Sequence, residues 1–344
     1  MKLKAGVIGM GIMGTHVARV LARNPWVHLA AIAEVSSERC DSAREEFRVP
    51  AAFNDYLEML DHEKLDAVFI ATPDWAHFEP VMACFERGIH VHVEKPMTTI
   101  ESESAQIVRK VAETGLKLQV SYNHRWLAPY HLVKEKLAGG EVGSPLIGYA
   151  RKNNPITVPT RMLAAWARDS SPMWFQSSHD IDLMCWWFED TPVRVTCHGV
   201  KRVLKEKYGW DTYDGLQGLV HFSKGGIATF EAAWIYPESH PSMPDSFMSL
   251  ITETGHFQID RKSEAVEMSS DNGFSWPRSF LNYKIFDQWT GAFPSCINSF
   301  IDAILEDRKP YVNELDGWTV TATLEALHRS ADTGQTVTIA PRPS

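Results

Sequence analysis

The chain is poor in the features that would assign a function at once. It has five cysteines in 344 residues: Cys40, Cys84, Cys185, Cys197 and Cys296. Their odd number, wide spacing and lack of any Cys-x-x-Cys exclude a disulfide framework or zinc knuckle and fit a reducing compartment. No run of about 18 apolar residues occurs, so no membrane span is expected. Positive charge is in deficit, with 34 Lys and Arg against 43 Asp and Glu and a net charge of −9. That leaves no basic stripe for nucleic acid or an anionic membrane. No His/Cys/Asp cluster has metal-ligand spacing, and His90-x-His92 reads as two packed rings on one face of a buried strand, so no metal is expected. A Gly-x-Ser-x-Gly elbow is missing, as are internal repeats and low-complexity segments. Residues 1–4 lead into a strand-length run and not a signal-peptide core, so a cytoplasmic protein is expected.

What is present is ordinary globular composition, 44% apolar and 22% charged, over a length that suits two domains. The first ~120 residues alternate short apolar runs with amphipathic stretches. Strands are expected at 5–8, Val27–Ala33, 67–71, His90–Val93 and 118–122. Helices are expected at 12–23, Ser37–Phe47 with Ser36 or Ser37 as cap, 55–60, 77–87 ending at Gly88, and 102–114 ending at Gly115. That rhythm predicts a doubly wound parallel sheet over residues 1–123.

After residue 123 the rhythm changes. Helices are expected at 130–137, 180–188, 295–305 and 317–333. Longer alternating runs lie at 193–203, 218–222, 227–233 and 247–252, with a further hairpin from 257–260 and 265–268. The fold class is therefore α/β, with a second α+β domain, residues 124–344, built on a large, mostly antiparallel open sheet.

Gly9-Met10-Gly11-Ile12-Met13-Gly14 follows the first strand and opens a helix. The first glycine permits the tight turn, the second lets a pyrophosphate approach the backbone over Gly11, Ile12 and Met13, and the third lets the helix pack on the sheet. Glu34, 25 residues after Gly9, ends the next strand. A carboxylate there accepts from a ribose 2′-hydroxyl and repels a 2′-phosphate, which favours NAD over NADP, although Arg39 lies near enough to meet a 2′-phosphate. Thr72 and Pro73 follow the fourth strand and would line the dinucleotide cleft, with Trp75 and His77 able to reach the substrate side. Glu94-Lys95-Pro96 ends the fifth strand at the same rim. A lysine there can take a hydroxyl proton while hydride leaves for a nicotinamide. The glycine loop and this lysine together predict a nicotinamide-dependent oxidoreductase.

Glu94-Lys95-Pro96, with Gly9, Gly11, Gly14, Glu34, Thr72-Pro73, Tyr122-Asn123-His124-Arg125-Trp126 and Ser178-His179-Asp180-Ile181-Asp182, resembles the Gfo/Idh/MocA family over essentially the whole chain. The resemblance implies a Rossmann domain joined to an α/β domain whose open sheet mediates a homodimer or homotetramer. It also implies a tightly held NAD or NADP and a sugar, inositol or related polyol as substrate. Lys95 matches the family's acid/base, in a motif whose Lys95–Pro96 bond is often cis. His179 matches its second catalytic residue, which orients substrate or relays the proton. Ser177 or Ser178 would cap its helix, and Asp182, one turn on, could hold its imidazole. Asn123 and Arg125 could bond substrate or fix the hinge. One departure stands out. Many polyol dehydrogenases of the family carry an aspartate four residues before the histidine, where this chain has Phe175. Either the substrate differs, or Gln176 or Asp180 takes part of that role, or catalysis is reduced. Two other readings remain open at this point: a redox-neutral glycosidase using bound NAD transiently, and a non-catalytic NAD-binding sensor.

Overall fold

The computed structural model describes residues 2–271 and 273–343, which divide into two compact units. The first comprises residues up to Asn123 together with 284–321 and 342–343. Its strands are β1 (Leu3–Ile8), β2 (Val27–Ala33), β3 (Ala51–Phe53), β4 (Ala67–Ile70), β5 (His90–Val93) and β6 (Leu118–Val120). The helices between them are α1 (Ile12–Leu21), α2 (Ser37–Phe47), α3 (Tyr56–His62), α4 (Phe78–Glu86) and α5 (Glu101–Thr114). All neighbouring strands pair in parallel, in the order β3-β2-β1-β4-β5-β6. The order reverses between β1 and β4. Their carboxyl ends therefore carry loops that diverge to opposite faces and leave a crevice, the usual ligand position of such sheets.

The elements expected within residues 1–123 form to within about two residues, the normal scatter of helix and strand ends, and β3 joins them as a short strand that the sequence does not signal. Capping explains several of the ends. Ser36 Oγ accepts from the Arg39 amide at 3.4 Å at the start of α2, and Gly115 closes α5 at φ 68°.

The sequence predicts a second domain over residues 124–344, and the structure divides the chain differently. The helix Ala292–Leu305 instead belongs to the first unit. Phe293, Ile297, Phe300 and Ile301 enter the same core as Val7, Val17, Leu21, Ile32 and Phe69. That i, i+4, i+7, i+8 stripe is a helical core face, worth about 1.5–3 kcal/mol per fully buried side chain. His92, expected to pack, lies between Phe69 and Phe300, with ring centroids at 5.2 and 5.7 Å, and burial pushes its pKa down to about 3.

The second unit holds residues 124–283 and 322–341. Its elements include α6 (Ala128–Ala138), β7 (Pro145–Pro155), α7 (Ser178–Phe188), β8 (Pro192–Val200), α8 (Val203–Tyr208), β9 (Gly215–Phe222), β10 (Ile227–Tyr236), β11 (Asp245–Thr252) and β12 (His256–Asp260). The seven-stranded sheet runs β12-β11-β7-β10-β9-β8, with Val337–Thr338 at the far edge. Only β7 with β10 is parallel. Along β10, Ala228, Phe230, Ala232 and Trp234 are buried, while the alternate residues stay half-exposed, as expected of a one-faced sheet.

Three local expectations fail here. The central strand β7 was not foreseen, because Gly148, Arg151, Lys152, Asn153 and Asn154 give it the composition of a turn. Residues 201–203 do not continue β8; the chain turns into α8, capped by Asp214, whose carboxylate accepts from the amides of Arg202, Val203 and Leu204 at 2.6–2.9 Å. The segment 257–260 does not pair with 265–268. It pairs with β11, and the small hairpin there is Met268–Ser270 with Gly273–Ser275. Among the described residues no helix is long and apolar enough to cross a membrane.

Candidate active site

The glycine loop sits at the β1 end of the crevice. Gly9 adopts φ +87°, and a Cβ there would stand 2.7 Å from the Ala71 carbonyl oxygen. At Gly14 a Cβ would stand 1.8 Å from the Gly9 carbonyl oxygen, so α1 rests directly on the turn that precedes it. At Gly11 a Cβ would meet no atom within 4 Å. Gly11 is also the N-cap of α1, with no side-chain capping bond and no acid in the first turn. Open space over the second glycine and an uncapped helix start are what a pyrophosphate requires, since amide donors and the helix dipole then face it. Ile12 is exposed beside this opening, while Met13 packs on the core below. The chain's own residues thus fit a dinucleotide.

Glu34 closes the loop from the β2 side. Its Oε2 accepts from the Met10 amide at 2.7 Å, and its Oε1 accepts from the Ser36 amide at 3.0 Å and from Arg39 Nη2 at 2.6 Å. Burial pushes its pKa up, but the bonds from Arg39, Ser36 and Met10 together outweigh it, so the carboxyl stays below the ordinary range. It is therefore an anion at neutral pH, with three of roughly four acceptor directions filled.

At the β4 end, Pro73 leads into a tight turn, Asp74–Ala76, that the Thr72 hydroxyl closes by donating to the Ala76 carbonyl at 3.0 Å. Trp75 is exposed on this turn. His77 departs from its expected role. Its ring is buried, with Nδ1 2.8 Å from the Pro96 carbonyl oxygen and Nε2 3.0 Å from the Thr72 carbonyl oxygen. Both nitrogens are held by backbone, so the ring cannot reach a substrate.

Glu94 and Lys95 follow β5, and the Lys95–Pro96 peptide is cis. Lys95 is half-buried. Beside it Glu94 is fully buried; burial pushes its carboxyl above the usual range, against the pull of Lys95 and Ser121.

In the second unit, α7 carries His179 and starts directly from a wide helical turn, Met173–Ser177. Ser177 occupies the N-cap but neither it nor Ser178 makes a capping bond, unlike the expectation, because the preceding turn already runs into the helix and supplies the carbonyls. Gly148 of β7 brings α7 close, since a Cβ there would stand 2.7 Å from Met184 Sδ. The His179 ring stacks on His124, centroids 4.0 Å apart and planes at 12°, and His124 stacks in turn on Tyr130 at 5.8 Å. His124 escaped the sequence reading although it lies between Asn123 and Arg125, which did not. Its signal was the aromatic ring in that motif. Burial, then the neighbouring His179, Lys152, Arg261 and Arg278, hold its pKa well below normal, so it is a neutral ring.

Arg125 and Asp182 form a buried bidentate pair, Nε–Oδ2 2.9 Å and Nη2–Oδ1 2.5 Å, with the guanidinium 5.3 Å from the Trp186 ring centre. This geometry assigns Arg125 to holding α7, and gives Asp182 an arginine partner that the sequence did not suggest. Removing one partner of a buried pair costs about 3–5 kcal/mol. Asp182→Asn is accordingly expected to lower the urea midpoint of the second unit by an amount equivalent to about 3 kcal/mol, read by fluorescence of its tryptophans.

Asp180 is committed to Lys152 at 2.6 Å, both buried. Gln176 is buried; its Nε2 donates to the Ala233 carbonyl at 3.1 Å, while its Oε1 has no hydrogen-bond partner among the described residues. Asn123 is buried at the end of the first unit. Phe175 sits edge-on to Trp166, centroids 6.0 Å apart, against a core cluster of Val158, Leu163, Ala167, Leu204 and Trp234. A carboxylate at position 175 would lie in apolar surroundings.

Residues 3–122 match the model of the Gfo/Idh/MocA oxidoreductase family, NAD-binding Rossmann fold, and residues 134–339 match that family's C-terminal alpha/beta domain. An inositol 2-dehydrogenase of Streptomyces avermitilis is 27% identical over 347 residues, covering 99% of this chain and 96% of that protein. Inositol 2-dehydrogenase 1 of Mycolicibacterium vanbaalenii is 30% identical over 196 residues, covering 56% of this chain and 55% of that protein. The chain thus spans about half the length of some curated relatives it matches and nearly all of another. A scyllo-inositol dehydrogenase structure from Lactobacillus casei, with bound NAD(H) and scyllo-inositol, superposes with a TM-score of 0.85 at 22% identity, covering 99% of this chain and all of that one. At that identity the likeness speaks for the fold.

Proposed function

The chain belongs to the Gfo/Idh/MocA family of NAD-binding oxidoreductases, and from that premise we propose that it transfers hydride between NAD and an inositol or related cyclic polyol, with Lys95 as acid/base. The observation that carries this reading is the placement of Lys95. It leaves the end of β5 on a loop that His77 ties to the Thr72 turn, beside the crevice into which the open Gly11 loop faces. Bound NAD supplies the hydride acceptor. The Lys95 amine, in its neutral form, takes the proton from the hydroxyl whose carbon is oxidised. His179, held on α7 and backed by the neutral His124 ring, orients the polyol through a hydroxyl and passes the proton on. Asn123 and the free Oε1 of Gln176 accept from further hydroxyls.

NADH formation against a panel of inositols, aldoses and sugar acids tests the reading. Signal with one stereochemical group supports it, and none with demonstrable NAD binding sinks it. Phe175 favours a second reading. In an apolar cluster, it offers no carboxylate to a substrate hydroxyl, which fits a non-catalytic NAD-binding sensor, detected as NAD binding without turnover on any polyol.

Glu34 carries the choice of nucleotide. Its anionic carboxyl repels a 2′-phosphate and also holds Arg39. Glu34→Ala removes the repulsion and frees Arg39. The NADP-to-NAD ratio of kcat/KM is expected to rise about 10–100-fold, the equivalent of roughly 1.4–3 kcal/mol from one screened charge. The half-exposed face of the seven-stranded sheet, with Tyr149, Arg151, Glu231 and Phe247 on it, is the surface we assign to a dimer or tetramer. Light scattering of the purified protein checks the assignment.

A further inference from the structure

His77 is buried, titratable and unused by the chemistry above, yet it touches both loops that flank the crevice. We propose that His77 is a positioning residue that sets the Lys95 amine by pinning the Pro96 carbonyl to the Thr72 turn. The proposal rests on Lys95 being the acid/base.

Pro96 has no N–H, so the Lys95 loop loses a backbone donor at its centre. The bond from the Lys95 amide to Glu94 Oε2 is long, at 3.4 Å. On the far side the chain is well anchored. Met97 is buried against Gly317, where a Cβ would stand 2.6 Å from its Sδ, and the Thr98 carbonyl accepts from Thr321 Oγ1 at 3.1 Å. On the near side β5 is locked in the sheet between β4 and β6. Between those anchors, the Pro96 carbonyl is the atom one residue from the reacting lysine, and the His77 ring holds it at 2.8 Å.

The other side of the ring is equally specific. Nε2 lies on the Thr72 carbonyl, in the turn whose hydroxyl and Pro73 form the β4 rim of the crevice. A neutral ring donates to one carbonyl and packs against the other, and so sets the separation of the two loops. A phenylalanine fills the same space without that bond. Displacement of a reacting group by about 1 Å can cost about 10²-fold in rate, whereas the fold needs only the ring's volume. Carbonyls accept and do not donate, so a neutral imidazole bonds one of them and an imidazolium bonds both. Burial is the largest influence on the ring and lowers its pKa, while the two carbonyls and Asp74 oppose it and Lys95 adds to it.

The test compares wild type, His77→Phe and His77→Asn. The asparagine amide can replace the Nδ1 donor to Pro96. Expected for His77→Phe is a fall in kcat of about 10–100-fold with NAD affinity within about threefold, and recovery in His77→Asn to within about fivefold of wild type. A second readout needs no substrate: competitive acetylation of Lys95 relative to the exposed Lys64, read by peptide mass spectrometry. The ratio shifts in His77→Phe and returns in His77→Asn if the clamp sets the amine. Unchanged kcat and labelling in His77→Phe overturn the proposal. So does equal impairment of both variants with an equal loss in unfolding midpoint, which marks the ring as structural only. If wild type oxidises no polyol, the reading of Lys95 as acid/base fails, and the labelling ratio still decides whether His77 positions it.

Discussion

Replacing Lys95 with alanine is expected to lower NADH formation by about 10³-fold or more while leaving NAD bound. A positioned acid/base contributes typically about 10²–10⁴-fold, and nothing else on the loop can substitute. Glu94 is buried beside it with its carboxyl pushed towards the neutral form, and His77 is held by two carbonyls. The pyrophosphate and ribose contacts come from residues 9–14 and Glu34, so NAD affinity, measured by fluorescence titration, is expected to stay within about threefold. Equal losses of turnover and NAD affinity would mean that Lys95 binds the nucleotide and does no proton transfer. Turnover near wild type would move the acid/base role elsewhere, with His179 the first residue to examine.

A pair of glycine substitutions separates binding from folding. In Gly14→Ala the new Cβ meets the Gly9 carbonyl oxygen at 1.8 Å, backbone against backbone, with no flexible side chain to give way. Either α1 lifts off the sheet or the turn opens. Overpacking of this kind costs about 1–3 kcal/mol and occasionally more, and here the upper end is expected, because Val17, Ala18 and Leu21 of α1 are all buried in the core. In Gly11→Ala the Cβ enters open space. The φ of −71° suits alanine, but alanine is a poorer N-cap than glycine, so a loss of about 0.5–1 kcal/mol of stability is expected. NAD, however, needs that space, and its Kd is expected to rise at least about tenfold, or 1.4 kcal/mol. Calorimetric unfolding with and without NAD reads both. If Gly11→Ala binds NAD as wild type does, the pyrophosphate does not lie over Gly11.

The first unit was legible because its signals are local. A strand that ends at a glycine turn, a helix with Gly115 at its end, and an acid at the end of β2 each report on neighbours within a few residues. Lys95 and its proline were legible for the same reason, together with the family motif. The second unit was less so. β7 reads as a turn, since its lysine and two asparagines are tolerated only by partners far along the chain: Lys152 by Asp180, and Asn153 by Glu231 and Tyr236. Residues 295–305 read as a helix from the sequence, but the home of Ala292–Leu305 in the first unit depends on a core assembled from β1, β2, β4 and α1.

The parallel nucleotide-binding sheet, the glycine loop and the acid that ends β2 can be read from the chain alone, because periodicity, turn chemistry and motif spacing act over short range, whereas His179 enters only through the family motif. That His77 faces two carbonyls, Arg125 takes Asp182, His124 stacks on His179 and Phe175 lies among apolar side chains follows from the folded packing alone. Each of these is a question of which groups meet after the chain has folded. Buried polar atoms must find partners wherever the packing brings them, and spacing along the chain carries no record of that choice.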